Sequence, residues 1–354
     1  MKLPMTYILG IETSCDETAA AVLDGDGHIL SNVVLSQLDD HRPYGGVVPE
    51  IAARSHLDHL DRLIGQAMTE ARLQFSDLAA IAATTGPGLI GGVMVGAVSA
   101  KTIALCHQLP FVAVNHLEGH ALSPRLAAVD GEALPFPYLL LLVSGGHCQI
   151  LAVEGVGRYR LYGRTIDDAV GEAFDKTAAI LGLGYPGGPA VEKAASEGDG
   201  ARFGFPRPMV GRDNCDFSFA GLKTAVRYGV EKLDDLDRKT VCDVAASFQE
   251  AVAEVLQDRC RRAIGKFRRD FDTDPALVVA GGVAANQRLR RALSDLTESE
   301  GIRFSAPPQH LCTDNAAMIA WAGLERFRLG LTDPLDIKAR PRWPLVELKG
   351  HANG

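Results

Sequence analysis

The strongest constraint on the fold is a pattern that occurs twice. Residues Tyr7–Leu30 run as an apolar segment (ILGI), a polar turn (ETSCDET), a second apolar segment (AAAVLD) and a DGDG turn. Residues Tyr138–Val153 repeat the shape as LLLLV, SGGH and CQILAVE. Short aliphatic runs bounded by small polar residues read as β-hairpins. Two such hairpins, each followed by helical and strand segments, predict two lobes of related topology. A chain of 354 residues also exceeds what one hydrophobic core usually serves.

The segments between follow the same logic. Pro49–Met68 opens on Pro-Glu, as a helix N-terminus prefers. Ile81–Thr85 predicts a strand that enters GPGLIGG and then a helix, Val93–Cys106. Phe111–Asn115 predicts another strand, followed by HLEGHALSPRL. Ser123–Pro137, with its prolines and a DGE turn, reads as a linker. Val244, Phe248, Val252, Val255, Ala263 and Phe267 recur at helical spacing and predict a helix over Val241–Phe271. Ala276–Ala280 predicts a strand running into GGVAANQRLRRAL, and Asn315–Leu329 a last helix. Strand, glycine turn and helix alternate, which is the α/β signature.

Composition narrows the function classes. Hydrophobic residues make up 47% and charged residues 23%, as in globular proteins. The first fifteen residues lack a secretory pattern. The longest apolar run, Leu139–Val143, falls far short of the ~20 residues that cross a bilayer. Seven cysteines without a CxxC pair argue against a disulfide framework and a cysteine-ligated zinc. Reduced thiols and a cytoplasmic location are expected. The net charge of −8 does not favour nucleic-acid binding, so RNA contact would need local basic patches or a partner. Such patches are Arg259, Arg261, Arg262, Lys266, Arg268 and Arg269, then Arg288, Arg290 and Arg291, and later Lys338, Arg340 and Arg342. They read either as solvated helix faces paired with acids or as a footprint on RNA phosphates.

Several segments have the chemistry of sites. IETSCDET places hydroxyls, backbone N–H groups and acids in one turn; Glu12 or Asp16 points to a water, a metal or an amine nearby. SGGH ends a fully apolar strand, where backbone can approach a ligand. GPGLIGG and GGVAANQRLRR each join a strand to a helix N-terminus, a natural anion site, although GxxxxGK[ST] is absent. Asn286 reads as a ligand to a ribose or base, or as a helix cap. His116 and His120, at i and i+4, can grip one ion from one helix face, or stand by chance. Glu118 points to the opposite face, at ~200° around the helix, so HLEGH lacks the base of an HExxH protease. His56 and His59, among Asp58 and Asp61, read as a solvated helix face.

Together the segments GIETSCDETAAAV, GGVVPEIAARSHL, TTGPGLIGG, NHLEGH, LLVSGGHCQI, GRTIDDAVGEAFDKTAAILGLGYPGGPAVE, FSFAGLKTA, GGVAANQRLR and CTDNAAMIAWAG resemble the bacterial TsaD family, over Ile8 to about Pro341. The resemblance implies the two-lobed fold of the actin, sugar-kinase and Hsp70 ATPases, with a ligand cleft between two related domains. It implies a first lobe over 1–120 completed by 318–342, a second lobe over 121–317, and a loose tail over 343–354. It implies transfer of threonylcarbamoyl from threonylcarbamoyl-AMP to N6 of the adenosine 3′-adjacent to the anticodon, in tRNAs reading codons that start with A, with release of AMP. His116, His120 and Asp314 match the family's metal ligands, for iron or zinc. Leu142, Val143, Ser144, Gly145 and Gly146, with Asp175, Gly188 and Asn286, match its substrate-binding positions. Ala220 stands where the family often has Ser. Expected partners are tRNA, a paralogous TsaB-like subunit and a small TsaE-like ATPase, with no membrane. Glu12 is the expected base for the N6 proton. Two other readings remain at this point, a protease and a non-catalytic nucleotide-binding platform.

Overall fold

The computed structural model describes residues 6–126, 134–308 and 311–348. The chain begins with three antiparallel strands, β1 (Tyr7–Glu12), β2 (Glu17–Asp24) and β3 (Ile29–Ser36). A short helix α1 (Leu38–His41), the long α2 (Pro49–Ala71), β4 (Ala80–Gly86), α3 (Ile90–His107), β5 (Phe111–Asn115) and α4 (His116–Leu126) follow. A second set opens with β6 (Tyr138–Val143), β7 (Cys148–Gly155) and β8 (Arg158–Arg164). It continues through α5 (Val170–Ile180), α6 (Gly187–Ala195), α7 (Ala220–Glu231) and α8 (Arg238–Phe271) to β9 (Leu277–Ala280), α9 (Gln287–Glu300) and β10 (Phe304–Ser305). The last helix is α10 (Ala316–Arg328).

The two expected hairpins are present, and each gains a third strand. The sheets run β3-β2-β1-β4-β5 and β10-β9-β6-β7-β8. Read from opposite edges these are one topology. β1 pairs antiparallel with β2 and parallel with β4, as β6 does with β7 and β9. The chain divides into two compact units, Met1–Leu134 with Gly155–Tyr159 and Thr313–Gly354, and Pro135–Glu154 with Arg160–Cys312.

In the first unit, both faces of β1 are covered, which is why the strand is apolar throughout. Leu9 and Ile11 pack with Leu60, Leu63 and Ile64 of α2 and with Ala100 and Ala104 of α3. On the other face α10 lies so close that a Cβ on Gly10 would stand 2.5 Å from Ala320 N and 2.6 Å from Ala316 O. In the second unit Leu139, Leu141 and Val143 pack with Phe174 of α5 and Phe248 and Val252 of α8. Asp237 caps α8, accepting from Thr240 N.

Four expectations need correction. The boundary expected after residue 120 lies between Leu134 and Pro135. The reason is that α4 packs on α10, where a Cβ on Gly119 would meet Ile319 Cδ1 at 2.9 Å. Residues 313–317 likewise join the first unit. The linker expected over Ser123–Pro137 begins inside α4, and its DGE turn lies outside the described residues. The tail is ordered where it is described. Trp343 and Leu345 are buried, and Asn115 Nδ2 donates to Trp343 O at 2.8 Å. Finally, α3 contradicts the expectation that no segment is long and apolar enough for a bilayer: it has 18 residues of mean hydropathy 1.4. Its small residues Gly92, Gly96, Ala97 and Ala100 are buried within the unit.

Candidate functional site

Each unit carries one of the expected clusters. In the first unit, β5 ends at Asn115, whose Oδ1 accepts from Leu117 N at 2.9 Å and so starts α4. One turn of helix then separates His116 from His120, and their rings meet edge to face at 4.8 Å. Asp314 lies just ahead of α10, where Asn315 caps the helix by accepting from Met318 N. His120 Nε2 stands 3.0 Å and His116 Nε2 3.5 Å from Asp314 Oδ1. The ligand atoms of the three residues all lie within 4.8 Å of one another.

Behind His116 sits Glu12, at the end of β1 and wholly buried. Its Oε1 accepts from Ser14 N at 2.5 Å. Its Oε2 accepts from the Thr84 hydroxyl and from His116 Nδ1 at 3.0 Å. A carboxylate can only accept, so it fixes a proton on Nδ1; the neutral ring that ligates a metal would then offer Nε2. Ser14 Oγ lies 3.1 Å from the same Nδ1. Burial opposes charge on His116, but Asp314 and Glu12 outweigh it and hold the imidazole well above its usual range. Burial likewise pushes Asp314 up, and His116 and His120 overcome it to leave the carboxyl well below its usual range. Glu17 goes the other way: burial, then Asp314 and Asp16, raise it well above its ordinary value. So dense an acidic cluster, with two imidazole nitrogens converging on one carboxylate oxygen, is a donor set suited to a divalent cation.

Glu12, expected at the N6 proton, is found at the back of the His116 ring. The enclosed carboxylate has its oxygens occupied by Ser14, Thr84 and His116, so it is placed to orient an imidazole rather than to meet a substrate amine. Sequence reasoning missed Ser14 and Thr84 as its partners. His56 departs from its expected place. It is buried, not solvated, with Nδ1 2.8 Å from Thr18 Oγ1 and Nε2 3.1 Å from Cys15 O, beneath the IETSCDET turn. Glu118 is buried as well, on the helix side away from the ligands, so it is no base for a bound water.

In the second unit the strand β6 delivers the glycine turn. Leu142 and Val143 are buried in the sheet, whereas Gly145 and Gly146 are exposed, with open space where side chains would stand. The turn is tied by Ser144 N donating to His147 O at 2.8 Å and His147 N donating to Ser144 Oγ at 3.1 Å. Gly281, at φ +95°, presses on Val143 O, and Gly171 at the start of α5 packs within 2.7 Å of Gly145 for a Cβ added there. Asp175 Oδ1 accepts from Gly187 N at 2.9 Å, which seats the PGGP turn containing Gly188. Asn286 caps α9: its Oδ1 accepts from Leu289 N at 3.0 Å and its Nδ2 donates to Gln249 at 2.8 Å. A cavity of about 260 Å³ opens beside it, lined by Glu192, Ser196, Gln249, Gln287 and Arg288. Glu192 was legible only as part of PGGPAVE; Gln249 had no local signal. The basic runs are mostly paired internally. Arg259 is fully buried and donates to Arg212 O and Asn214 O. Arg268 pairs with Asp274 and Glu300, Lys266 with Asp270, and Arg288 with Glu250.

Comparison with known proteins decides between the remaining readings. The family described as TsaD, tRNA N6-adenosine threonylcarbamoyltransferase, matches residues 28–321. The chain belongs to the TsaD family. A relative of that name from Paramagnetospirillum magneticum is 61% identical over 339 residues, covering 96% of both chains. Another, from Rhodospirillum rubrum, is 61% identical over 352 residues, covering 98% of this chain and 96% of the relative. TsaD proteins are tRNA-modifying transferases, and this chain is a transferase of that family. Among solved structures, T. kodakarensis HypF matches with a TM-score of 0.60 at 14% identity, over 93% of this chain and 49% of that one. Component A of the Acidaminococcus fermentans (R)-2-hydroxyglutaryl-CoA dehydratase matches with a TM-score of 0.50 at 18% identity, over 91% and 98%. These two speak for the fold alone, that of the actin, sugar-kinase and Hsp70 class.

Proposed function

We propose that this TsaD protein transfers threonylcarbamoyl from threonylcarbamoyl-AMP to N6 of the adenosine 3′-adjacent to the anticodon, in tRNAs reading codons that start with A. The observation that carries this beyond the family name is the convergence of His116, His120 and Asp314, with ligand atoms within 4.8 Å of one another. These three residues would hold one divalent ion, iron or zinc, which when bound supplies a Lewis acid and a template. Glu12, backed by Ser14 and Thr84, keeps the His116 ring and tautomer fixed. The N–H groups of Gly145 and Gly146 and the GGVAAN turn held by Asn286 offer donors to phosphate and sugar. Leu142–Ser144 deliver that turn, and Asp175 places Gly188 through its bond to Gly187. The cavity beside Asn286, lined by Glu192, Ser196, Gln249, Gln287 and Arg288, is a candidate place for the nucleoside of the adenylate.

In the reaction the N6–C bond forms, the C–O bond to phosphate breaks and AMP leaves with the electron pair. AMP is a good leaving group, so orientation is the main task. The N6 nitrogen sheds a proton to water or to the phosphate of the departing AMP; the burial of Glu12 favours a place behind His116 rather than at that proton. A net charge of −8 and the internal pairing of the basic helices favour help with tRNA, from a paralogous TsaB-like subunit and a small TsaE-like ATPase. The expected location is the cytoplasm.

The test is reconstitution. This chain, the two partners, an adenylate-forming synthase, threonine, bicarbonate, ATP and unmodified tRNA are combined, and threonylcarbamoyladenosine is sought by mass spectrometry of digested RNA. Product that disappears with His116→Ala plus His120→Ala is the expected result. Product that survives removes the metal from the chemistry; no product beside an active control transferase overturns the reading.

A further inference from the structure

The side of α4 turned away from the ligands carries an acid that no step above uses. Glu118 is wholly buried between the two histidines in sequence. Its Oε1 accepts from Gly157 N at 2.8 Å and from the Tyr159 hydroxyl at 3.0 Å. Its Oε2 accepts from Arg326 Nη1 at 3.1 Å, and the Arg326 side chain is itself buried. All four residues belong to the first unit.

The position of this pair is what gives it meaning. His116 and His120 ride on α4, and Asp314 stands two residues ahead of α10. A three-ligand site built on two helices is only as well defined as the helix pair. On one side α4 and α10 are kept apart by the narrow fit at Gly119, where a Cβ would meet Ile319 Cδ1 at 2.9 Å and Met318 Cγ at 3.3 Å. Apolar contact of that kind tolerates sliding by a fraction of an ångström. A charged bond between fixed points on both helices does not, because one acceptor oxygen must stay in line with one N–H. A carboxylate–guanidinium pair out of water costs desolvation, so its net effect on stability is small, and such pairs are best attested as devices that fix register. The extra donors, Gly157 N and Tyr159 Oη, hold the carboxylate at one rotamer from a third segment.

We infer that Glu118 and Arg326 are positioning residues that set the register of α4 against α10 and thereby the separation of His116 and His120 from Asp314. The inference rests on the metal reading above. Outer partners that orient metal ligands typically affect affinity by 10–100-fold. Glu118→Gln keeps the shape and one acceptor but loses the ion pair.

The experiment loads wild-type protein, Glu118→Gln and Glu118→Gln/Arg326→Gln with Co(II) and with Zn(II). It records the visible Co(II) spectrum, the dissociation constant by chelator competition, and the thermal midpoint without metal. Both variants should bind at least tenfold more weakly with an altered Co(II) spectrum. The double variant, which leaves no unpaired buried guanidinium, should regain the metal-free midpoint but not the affinity. It also stands in for the single variant should that fail to fold. Wild-type affinity and spectrum in a folded double variant overturn the inference alone. A wild-type chain that binds neither ion overturns the metal reading and this inference with it.

Discussion

Glu12→Gln separates two roles for the same residue. In the structure Oε1 takes Ser14 N at 2.5 Å and Oε2 takes the Thr84 hydroxyl and His116 Nδ1, the last at 3.0 Å. Glutamine has one acceptor oxygen. If that oxygen stays on Ser14 N, the amide NH2 faces the proton on Nδ1, and the imidazole must move its proton to Nε2. That atom faces Asp314 at 3.5 Å, and once protonated it has no lone pair to offer a metal. If the amide turns the other way, Ser14 N–H confronts the NH2 and loses its partner, at about 1–3 kcal/mol. In the first case affinity for Zn(II) or Co(II) should fall about 10–100-fold, or roughly 1.4–2.8 kcal/mol; in the second the cost falls on stability instead. Chelator competition measures it, and transfer kinetics at saturating metal should recover most of the rate. Unchanged metal affinity combined with loss of the chemical step would refute this reasoning and return Glu12 to the N6 proton.

Other perturbations read other parts of the molecule. Gly10→Ala would push on backbone atoms of α10 at 2.5 and 2.6 Å, costing about 1–3 kcal/mol and lowering Tm by several degrees in a calorimetric scan. Asn115→Ala removes the bond from Leu117 N and the one to Trp343 O, about 0.5–1.5 kcal/mol each. Faster amide exchange at Leu117 and altered Trp343 fluorescence should report it, and Asn115→Asp should restore only the former. Lys239, Asp199 N and Arg202 hold the Asp243 carboxyl well below its usual value. Its stabilisation is thus complete above the unfolded carboxylate pKa of ~3.9 and fades as pH falls through the lower folded value. Urea midpoints of wild type and Asp243→Asn should differ at pH 6 and converge as the pH drops below about 4.

The parts of the fold that were legible in the sequence are those written in local period. Both hairpins, the helix at Val241–Phe271 and the glycine turns before α3 and α9 were readable because hydrophobic spacing and turn residues act over a few positions. The HxxxH pair was readable for the same reason, and so was the orientation of Glu118. Asp314 was not, being 194 residues from His120; only family resemblance brought it in. Burial was the other blind spot. His56 looks solvated beside Asp58 and Asp61, yet it faces Thr18 and Cys15 across the unit. Glu12 looks like an open turn acid, yet β4 supplies Thr84 to close it in. Trp343 and Leu345 have no period, but their packing needs none.

The division of the first unit has a consequence for its birth on the ribosome. Its sheet, α2 and both histidines are made early, but Asp314, α10 and the segment bearing Trp343 are made last, after the whole of the second unit. At 5–20 residues per second, about 10–40 s pass between translation of His120 and of Asp314. During that interval the apolar face of β1 that α10 will cover stands open, and the imidazoles lack their carboxylate. The nascent first unit thus exposes that apolar face until the segment from Thr313 onward emerges to cover it.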